Sequence, residues 1–271
     1  STADLVVFAT LLEPAAFGAT IEERLAMVQR LGGPYFTNDT EDLRQAHAAG
    51  LQTAYLIVDQ NGRDLVAAVR SAVAAHPEMI AIRTDRLSVS QLQNNEEVEE
   101  LSAALAAAEG VHRMIIAVDS PIAPLSAAEW GRLPAESLAI DPIGDPNAWR
   151  AAATLPGDRG LVLGLIPSPS AAATAEPREV LLWGLRYAAS LGGRGGARVG
   201  FTERPQSRSA GGVGGAGGAG GAVDGATAER CVALLADLLR LTGANEATLR
   251  DALDPRSFSP VAQRLEKRRD G

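Results

Sequence analysis

The sequence predicts an α/β fold of the (β/α)8 type, a TIM-type barrel formed by one domain. Eight short apolar runs occur along the 271 residues, and segments with helix signals separate them. The runs are almost continuously hydrophobic, which is typical of strands buried on both faces of a parallel sheet. Eight strand–helix units favour a closed barrel, and an open doubly wound sheet is the alternative.

The predicted strands contain mostly aliphatic and β-branched residues. They cover residues 5–9, 35–36, 53–58, 79–82, 114–118, 138–140, 161–166 and 198–201. No G-x-G-x-x-G motif follows the first run, which argues against a dinucleotide-binding domain.

Helix signals stand between these runs. Thr20 with Glu23, and Ser126 with Glu129, have the spacing of capping boxes, in which side chains satisfy the first N–H groups of a helix. A helix is predicted from Glu96 to Glu109, with Gly110 as its stop. A further helix should open at Glu176-Pro177 and run to Ser190. Helices should resume near Thr227, and residues 245–253 and 260–269 should close the chain.

We expect one domain over residues 1–271, interrupted by a flexible insertion at residues 207–225. This Gly/Ala-rich stretch follows the eighth predicted strand and has almost no side chains to bury. Without packing it cannot offset the entropy lost on ordering.

Composition excludes several classes of protein. The net charge of −8 argues against a nucleic-acid partner, and no apolar run approaches the roughly 20 residues that cross a bilayer. The chain opens without a basic region followed by an apolar run, which predicts a cytoplasmic location. Cys231 is the single cysteine and Lys267 the single lysine, which argues against disulfides, zinc–thiolate sites and Schiff-base chemistry.

Polar side chains follow the predicted strands at the ends that build the active face of a barrel. Converging carboxylates raise one another's pKa, pair with arginine or recruit a divalent cation, whereas a lone Asp there often caps a turn. The predicted catalytic groups are Asp59, Asp119, Asp141 and Glu203, and Asp119, Asp141 and Glu203 would be the ligands of any metal. The predicted substrate-binding groups are Asn38, Arg83, Ser168, Arg204 and Arg208.

Basic residues concentrate in one stretch. Five arginines stand against one acid between residues 186 and 208, and we expect this stretch to supply an anion-binding rim or a solvated basic loop. His47, His76 and His112 fall away from the predicted active face and are interpreted as surface or capping residues.

The C-terminal half resembles a known superfamily. The stretches Asp141-Pro142-Ile143-Gly144-Asp145, Gly164 to Ser168, Ala188 to Gly193 and Arg198 to Phe201 are similar to the last three strands of the cobalamin-independent methionine synthase and uroporphyrinogen decarboxylase barrels. The resemblance covers residues 110–205 and implies a (β/α)8 barrel. Its methionine synthases hold zinc with a His-x-Cys pair, a Glu and a last Cys, and only the acidic position has a counterpart here, Asp141. Its decarboxylases use Asp and Arg without a cofactor.

Three functions are compatible with these observations. The first is an enzyme acting on a small anionic molecule by one-carbon or alkyl transfer or by decarboxylation. The second is a divalent-metal-dependent lyase or isomerase that uses the strand-end carboxylates. The third is a barrel without activity that serves as a binding or assembly subunit, and a homo-oligomer is compatible with all three. The cofactor is accordingly none or a divalent cation.

Overall fold

Eight parallel strands close into a barrel in the computed structural model of the chain, which describes residues 7–12, 14–18, 20–60, 64–90, 95–118, 122–167, 175–195, 198–205 and 225–242. The strands pair in sequence order, and β8 pairs with β1 through the partners Val7 with Val199 and Ala9 with Phe201. The closed barrel predicted from the sequence is therefore confirmed. The strands are β1 (Val7–Leu11), β2 (Gly32–Thr37), β3 (Thr53–Val58), β4 (Met79–Thr84), β5 (His112–Ala117), β6 (Ser137–Ile140), β7 (Gly160–Ile166) and β8 (Val199–Glu203).

One helix follows each strand. Thr20 and Ser126 form the two predicted capping boxes, at the starts of α1 and α5. The helix predicted over Glu96 to Glu109 ends earlier, at Ala106, and a turn leads to Gly110 with a φ of 81°. The helices are α1 (Ile21–Leu31), α2 (Thr40–Ala48), α3 (Leu65–Val73), α4 (Asn95–Ala106), α5 (Ala127–Arg132), α6 (Ala148–Thr154), α7 (Arg178–Ser190) and α8 (Gly225–Thr242).

Two apolar cores result from the alternation of side chains along the strands. Residues such as Ile80, Ile82 and Phe201 belong to the outer core, between the barrel wall and the helices. The interior cluster fills the barrel itself and consists of Leu12, Phe36, Ala54, Leu56, Ala81, Met114, Ile116, Val118, Ala139 and Val162. Membership of these two cores shows which strand positions face the barrel interior.

Some expectations lie outside the described residues. These are most of the insertion at 207–225, since the structure describes only Gly225 of it, and the helices at 245–253 and 260–269. None of the described helices is both long enough and apolar enough to cross a membrane.

Candidate functional site

The carboxyl ends of the strands form the mouth where the sequence places the active site. In β4, Met79 and Ala81 touch the interior cluster, so Arg83 lies on the interior side by alternation. The same counting from Ala139 in β6 places Asp141 on the interior side, and counting from Phe36 in β2 does so for Asn38. Three predicted site residues therefore stand on the interior side of one mouth.

Arg83 is the most deeply buried cation of this mouth. Only 6% of its surface is exposed, and its backbone carbonyl accepts a hydrogen bond from the N–H of Asp59 at 2.9 Å. A guanidinium keeps its charge at any physiological pH and presents donors in a planar fork that matches a carboxylate or phosphate. Arg83 thus brings a permanent positive charge to the top of the barrel interior.

Asp141 and Arg204 form an ion pair across the strand that separates them. The Nε of Arg204 lies 2.9 Å from Oδ2 of Asp141. The other oxygen, Oδ1, accepts hydrogen bonds from the backbone N–H groups of Ile143 at 3.1 Å and Gly144 at 2.7 Å. Because both oxygens of Asp141 are occupied, this carboxylate orients Arg204 and closes a turn at the same time.

Two glycines permit this pairing. The N–H of Arg204 donates to the carbonyl of Ile166 at 2.7 Å, and the chain then passes over the end of β7. A Cβ on Gly164 would lie 2.5 Å from Cδ of Pro205 and 2.9 Å from Cα of Arg204, inside any normal contact distance. A Cβ on Gly144 would collide with both partners of the ion pair. The glycines of the two stretches that carry the family resemblance therefore make room for Arg204.

Asp59 faces the opposite way. Leu56 belongs to the interior cluster and Ile57 to the outer core, so Asp59 follows on the outer side of the wall. Its carboxylate accepts hydrogen bonds from the Oγ1 of Thr84 at 2.7 Å and from the Nε of Arg86 at 2.6 Å. This hydrogen bond raises the pKa of the Arg86 guanidinium above its usual value. In the described structure Asp59 is an anchor between β3, β4 and α4.

Glu203 also points away from the mouth. It is buried and accepts a hydrogen bond from the Oγ1 of Thr202 at 2.6 Å. Val199 and Phe201 belong to the outer core, so by alternation Glu203 follows on the outer side of the wall. Burial, followed by the charge of Glu203, raises the pKa of the Cys231 thiol on α8. Among the described acids predicted to be catalytic, Asp141 alone stands on the interior side.

Three predicted site residues, Asp119, Ser168 and Arg208, lie outside the described residues. Within the described part of the chain, no three His, Cys, Asp or Glu side chains come together in a group that could hold a metal ion.

The basic stretch divides between the two ends of the barrel. Arg194 and Arg198 precede β8 and therefore stand at the amino ends of the strands, whereas Arg204 follows β8. Arg194 is buried and donates to the carbonyls of Arg159 at 2.8 Å and Leu155 at 3.1 Å. The expectation that this stretch supplies one anion-binding rim is therefore wrong for these two arginines, because their loop belongs to the face opposite the mouth.

That opposite face contains a cavity of about 370 Å³. It is floored by interior side chains and rimmed by polar residues that begin or precede strands: Gln52, His112, Glu136, Ser137, Asp158 and Arg198. His112 starts β5 on this rim, as predicted, but it lines the cavity instead of only capping or facing solvent. This cavity was not predicted from the sequence, although polar residues at the starts of several strands could have indicated it.

Comparison with known proteins adds information on the fold. No family model matches the chain, and no curated protein matches it either. A homocysteine methyltransferase from Escherichia coli is similar in structure, with a TM-score of 0.50, 15% identity, and coverage of 89% of this chain and 97% of that one.

Two further solved structures match with lower scores. A B12-independent methionine synthase from a Shewanella species has a TM-score of 0.48 at 11% identity, over 76% of this chain and 67% of that one. A Pseudomonas aeruginosa protein with a provisional assignment as a dihydrodipicolinate synthetase has a TM-score of 0.48 at 14% identity, over 99% of this chain and 85% of that one. The likeness to the homocysteine methyltransferase agrees with the closed barrel of this structure, and at this identity it extends to the fold alone.

Proposed function

We propose that the protein is an enzyme that binds a small carboxylate-bearing molecule at the carboxyl-end mouth of its barrel and decarboxylates it. The observation that carries the proposal is the presence of Arg83 and Arg204 at this one mouth. Strands β4 and β8 stand on opposite sides of an eight-stranded barrel, so the two guanidinium groups approach the mouth from opposite sides. An anion between them would have charge-assisted donors on both flanks.

In this proposal some residues bind the substrate and one donates a proton. Arg204, oriented by Asp141, and Arg83 would hold the substrate, with Asn38 on the β2 side of the same mouth. When the substrate loses CO2, the electron pair of the broken C–C bond stays on carbon and must be protonated by an acid. Asp119 is our candidate for that acid, because Asp141 is occupied on both oxygens and Asp59 and Glu203 face outward. Ser168 and Arg208 remain candidates for further substrate contacts.

Decarboxylation is favoured over alkyl transfer by the residue types present. The methionine synthases that the C-terminal half resembles hold a thiol-activating zinc ion with His and Cys, and soft ligands such as cysteine select zinc. Where the resemblance implies His-x-Cys the chain has Val118-Asp119-Ser120, and where it implies the last Cys it has Thr202-Glu203. Neither place holds a His or a Cys, whereas Asp and Arg suit anion binding and proton transfer. The metal-dependent alternative would need ligands that the described residues do not bring together.

The test uses malonate and a panel of small β-keto carboxylates as probes. We expect a probe to raise the apparent melting temperature of the wild-type protein, since a ligand that binds only the folded state stabilises it. Arg204→Gln should weaken that affinity about tenfold or more, because it removes a charged donor. Arg150→Gln, an exposed change on α6, is the matched control and should have no effect.

Release of CO2 from a bound β-keto carboxylate, followed by NMR of the products, tests the reaction itself. Binding without CO2 release would refute decarboxylation and favour the binding-subunit alternative. Equal responses of wild type and Arg204→Gln would refute the anion site.

A further inference from the structure

The cavity at the amino end of the barrel is separate from the mouth described above. Leu56, Ile116 and Ala139 lie nearer the middle of their strands than the residues that line the cavity. They are buried in the interior cluster and fill the barrel between its two ends. A molecule in the cavity would therefore touch none of the residues of the carboxyl-end mouth. The cavity volume of about 370 Å³ falls in the range of small-molecule sites, about 300–1,000 Å³.

The floor of this cavity is apolar. The side chains that line it belong to the interior cluster or pack against it, and they offer no hydrogen-bonding group: Phe36, Met79, Met114 and Val162. Burying an apolar group against such a floor is favourable, by roughly 25 cal/mol for each Å² removed from water. The flexible thioethers of Met79 and Met114 can also adapt to ligands of different shape.

The charges on the rim are of both signs. Glu136 is engaged by Arg113, whose backbone N–H and guanidinium both donate to its carboxylate. Asp158 forms no ion pair or side-chain hydrogen bond within the described part of the chain. Arg198 makes one weak contact there, from Nη1 to the carbonyl of Arg194 at 3.5 Å. The rim thus carries one available carboxylate and one available guanidinium.

Asp158 precedes β7 and Arg198 precedes β8, and these neighbouring strands pair through Leu161 with Val199. Both side chains influence the buried Arg194 guanidinium, whose pKa is lowered first by burial, then by the positive charge of Arg198, and is raised by Asp158. The two charges therefore stand at the starts of adjacent strands, on the same sector of the rim.

The remaining rim groups are polar but neutral near pH 7. The Nε2 of His112 lies 2.9 Å from the Oγ of Ser137, which is buried at the start of β6. Burial lowers the pKa of His112, so the ring is uncharged at neutral pH. Together with Gln52, this pair can exchange hydrogen bonds with a ligand without changing the charge balance.

We infer that this cavity binds a small zwitterion with an apolar body, of the chemical class of the apolar α-amino acids. Arg198 takes the carboxylate, Asp158 takes the ammonium group, and the side chain of the ligand lies on the Phe36–Met114 floor. An α-amino acid fits because it carries one charge of each sign, as this sector of the rim does. A simple anion or cation would leave one rim charge without a partner, and an apolar molecule would leave both.

The experiment measures binding by isothermal titration calorimetry with L-phenylalanine, L-leucine and L-methionine. Two truncated probes, 3-phenylpropionate and phenethylamine, lack the ammonium group and the carboxylate respectively. We expect the best of the three amino acids to bind saturably, and L-phenylalanine to bind at least tenfold more tightly than either truncated probe. Each missing charge removes a charge-assisted hydrogen bond.

The variants assign each charge to its partner. Arg198→Gln should remove the advantage of L-phenylalanine over phenethylamine, and Asp158→Asn should remove its advantage over 3-phenylpropionate. Both side chains are exposed and make at most one weak contact, so the variants should fold as the wild type does. Arg204→Gln is the matched control at the other end of the barrel and should leave L-phenylalanine binding unchanged.

Three outcomes with the amino acids, the truncated probes and the rim variants would overturn the inference. They are the absence of saturable binding by all three amino acids, equal affinity for a truncated probe, and unchanged affinity in both Arg198→Gln and Asp158→Asn. Loss of binding in Arg204→Gln would place the amino acid at the carboxyl-end mouth and would also refute it. Because the proposed decarboxylase is tested with other probes, either proposal can fail while the other holds.

Discussion

Replacing Asp59 by Asn should destabilise the fold strongly. The carboxylate is only 1% exposed and accepts three hydrogen bonds, from Thr84 at 2.7 Å and from two nitrogens of Arg86 at 2.6 and 3.2 Å. Asn keeps the shape but removes the charge and turns an NH2 group toward the donors of Arg86. Breaking a buried ion pair on one side costs about 3–5 kcal/mol. Because Arg86 keeps its contact with Glu100 at 2.9 Å, we expect the free energy of unfolding to fall by about 3 kcal/mol, the lower end of this range.

Urea unfolding followed by circular dichroism measures this loss. With a slope of about 1–3 kcal/mol per molar urea, the midpoint should fall by about 1 M or more. Glu100→Gln is the control from the same network. Its carboxylate is 42% exposed, so its removal should cost no more than about 1 kcal/mol.

A double-mutant cycle isolates the interaction. Arg86→Met alone should also destabilise, because it leaves the Asp59 carboxylate buried without its cation. The double variant Asp59→Asn with Arg86→Met should lose much less unfolding free energy than the two single variants lose together. If Asp59→Asn instead kept the wild-type midpoint while ligand binding or turnover disappeared, the anchor role argued here would be refuted and Asp59 would belong to the active site.

Two other substitutions and one chemical modification test separate parts of the structure. Gly164→Ala should lower the free energy of unfolding in urea by about 1–3 kcal/mol, because its Cβ would meet Pro205. The control Gly131→Ala, in an open position of α5, should be neutral or stabilising. Equal effects of the two substitutions would refute the passage of the chain over the end of β7. His112 has a lowered pKa, so its stabilising contribution is complete above about pH 6.5 and declines as the pH falls below that value. Urea midpoints of wild type and His112→Gln should therefore converge between pH 7.5 and 5.5, and parallel pH profiles would contradict the shift. Cys231, the single thiol, should react with iodoacetamide more slowly than free cysteine, because burial raises its pKa, and its rate should rise at higher pH. Alkylation as fast as that of free cysteine at pH 7 would show that the thiol is not shielded.

The strands were predictable wherever an apolar run was continuous. The run at residues 53–58 coincides with β3. The runs predicted to form β4 to β8 agree with the observed strands to within a few residues at each end. The second strand was seen only as Tyr35-Phe36, because Gly32, Gly33 and Pro34 have low strand propensity. Gly33 is required there, since a Cβ would collide with the backbone of Ala9 on β1.

The side of the wall on which each strand-end residue stands could not be predicted. In a half-exposed strand, alternating polar and apolar residues reveal which face is buried. A shift of one residue along the strand turns a side chain to the opposite face. Here both faces of each strand are apolar, so the sequence has no alternation to count from. Asp59 and Asp141 both follow apolar runs, yet one faces the helices and the other faces the mouth.

The pairing of β1 with β8 has a consequence for synthesis of the protein on the ribosome. Strands β1 to β7 emerge first, and until β8 follows them the growing sheet has two open edges, on β1 and on β7. Unpaired edges of parallel strands are sites where chains associate wrongly. The nascent chain is therefore most vulnerable to aggregation just before its eighth strand appears. Slow translation at any point before β8 has left the ribosome would lengthen that vulnerable period.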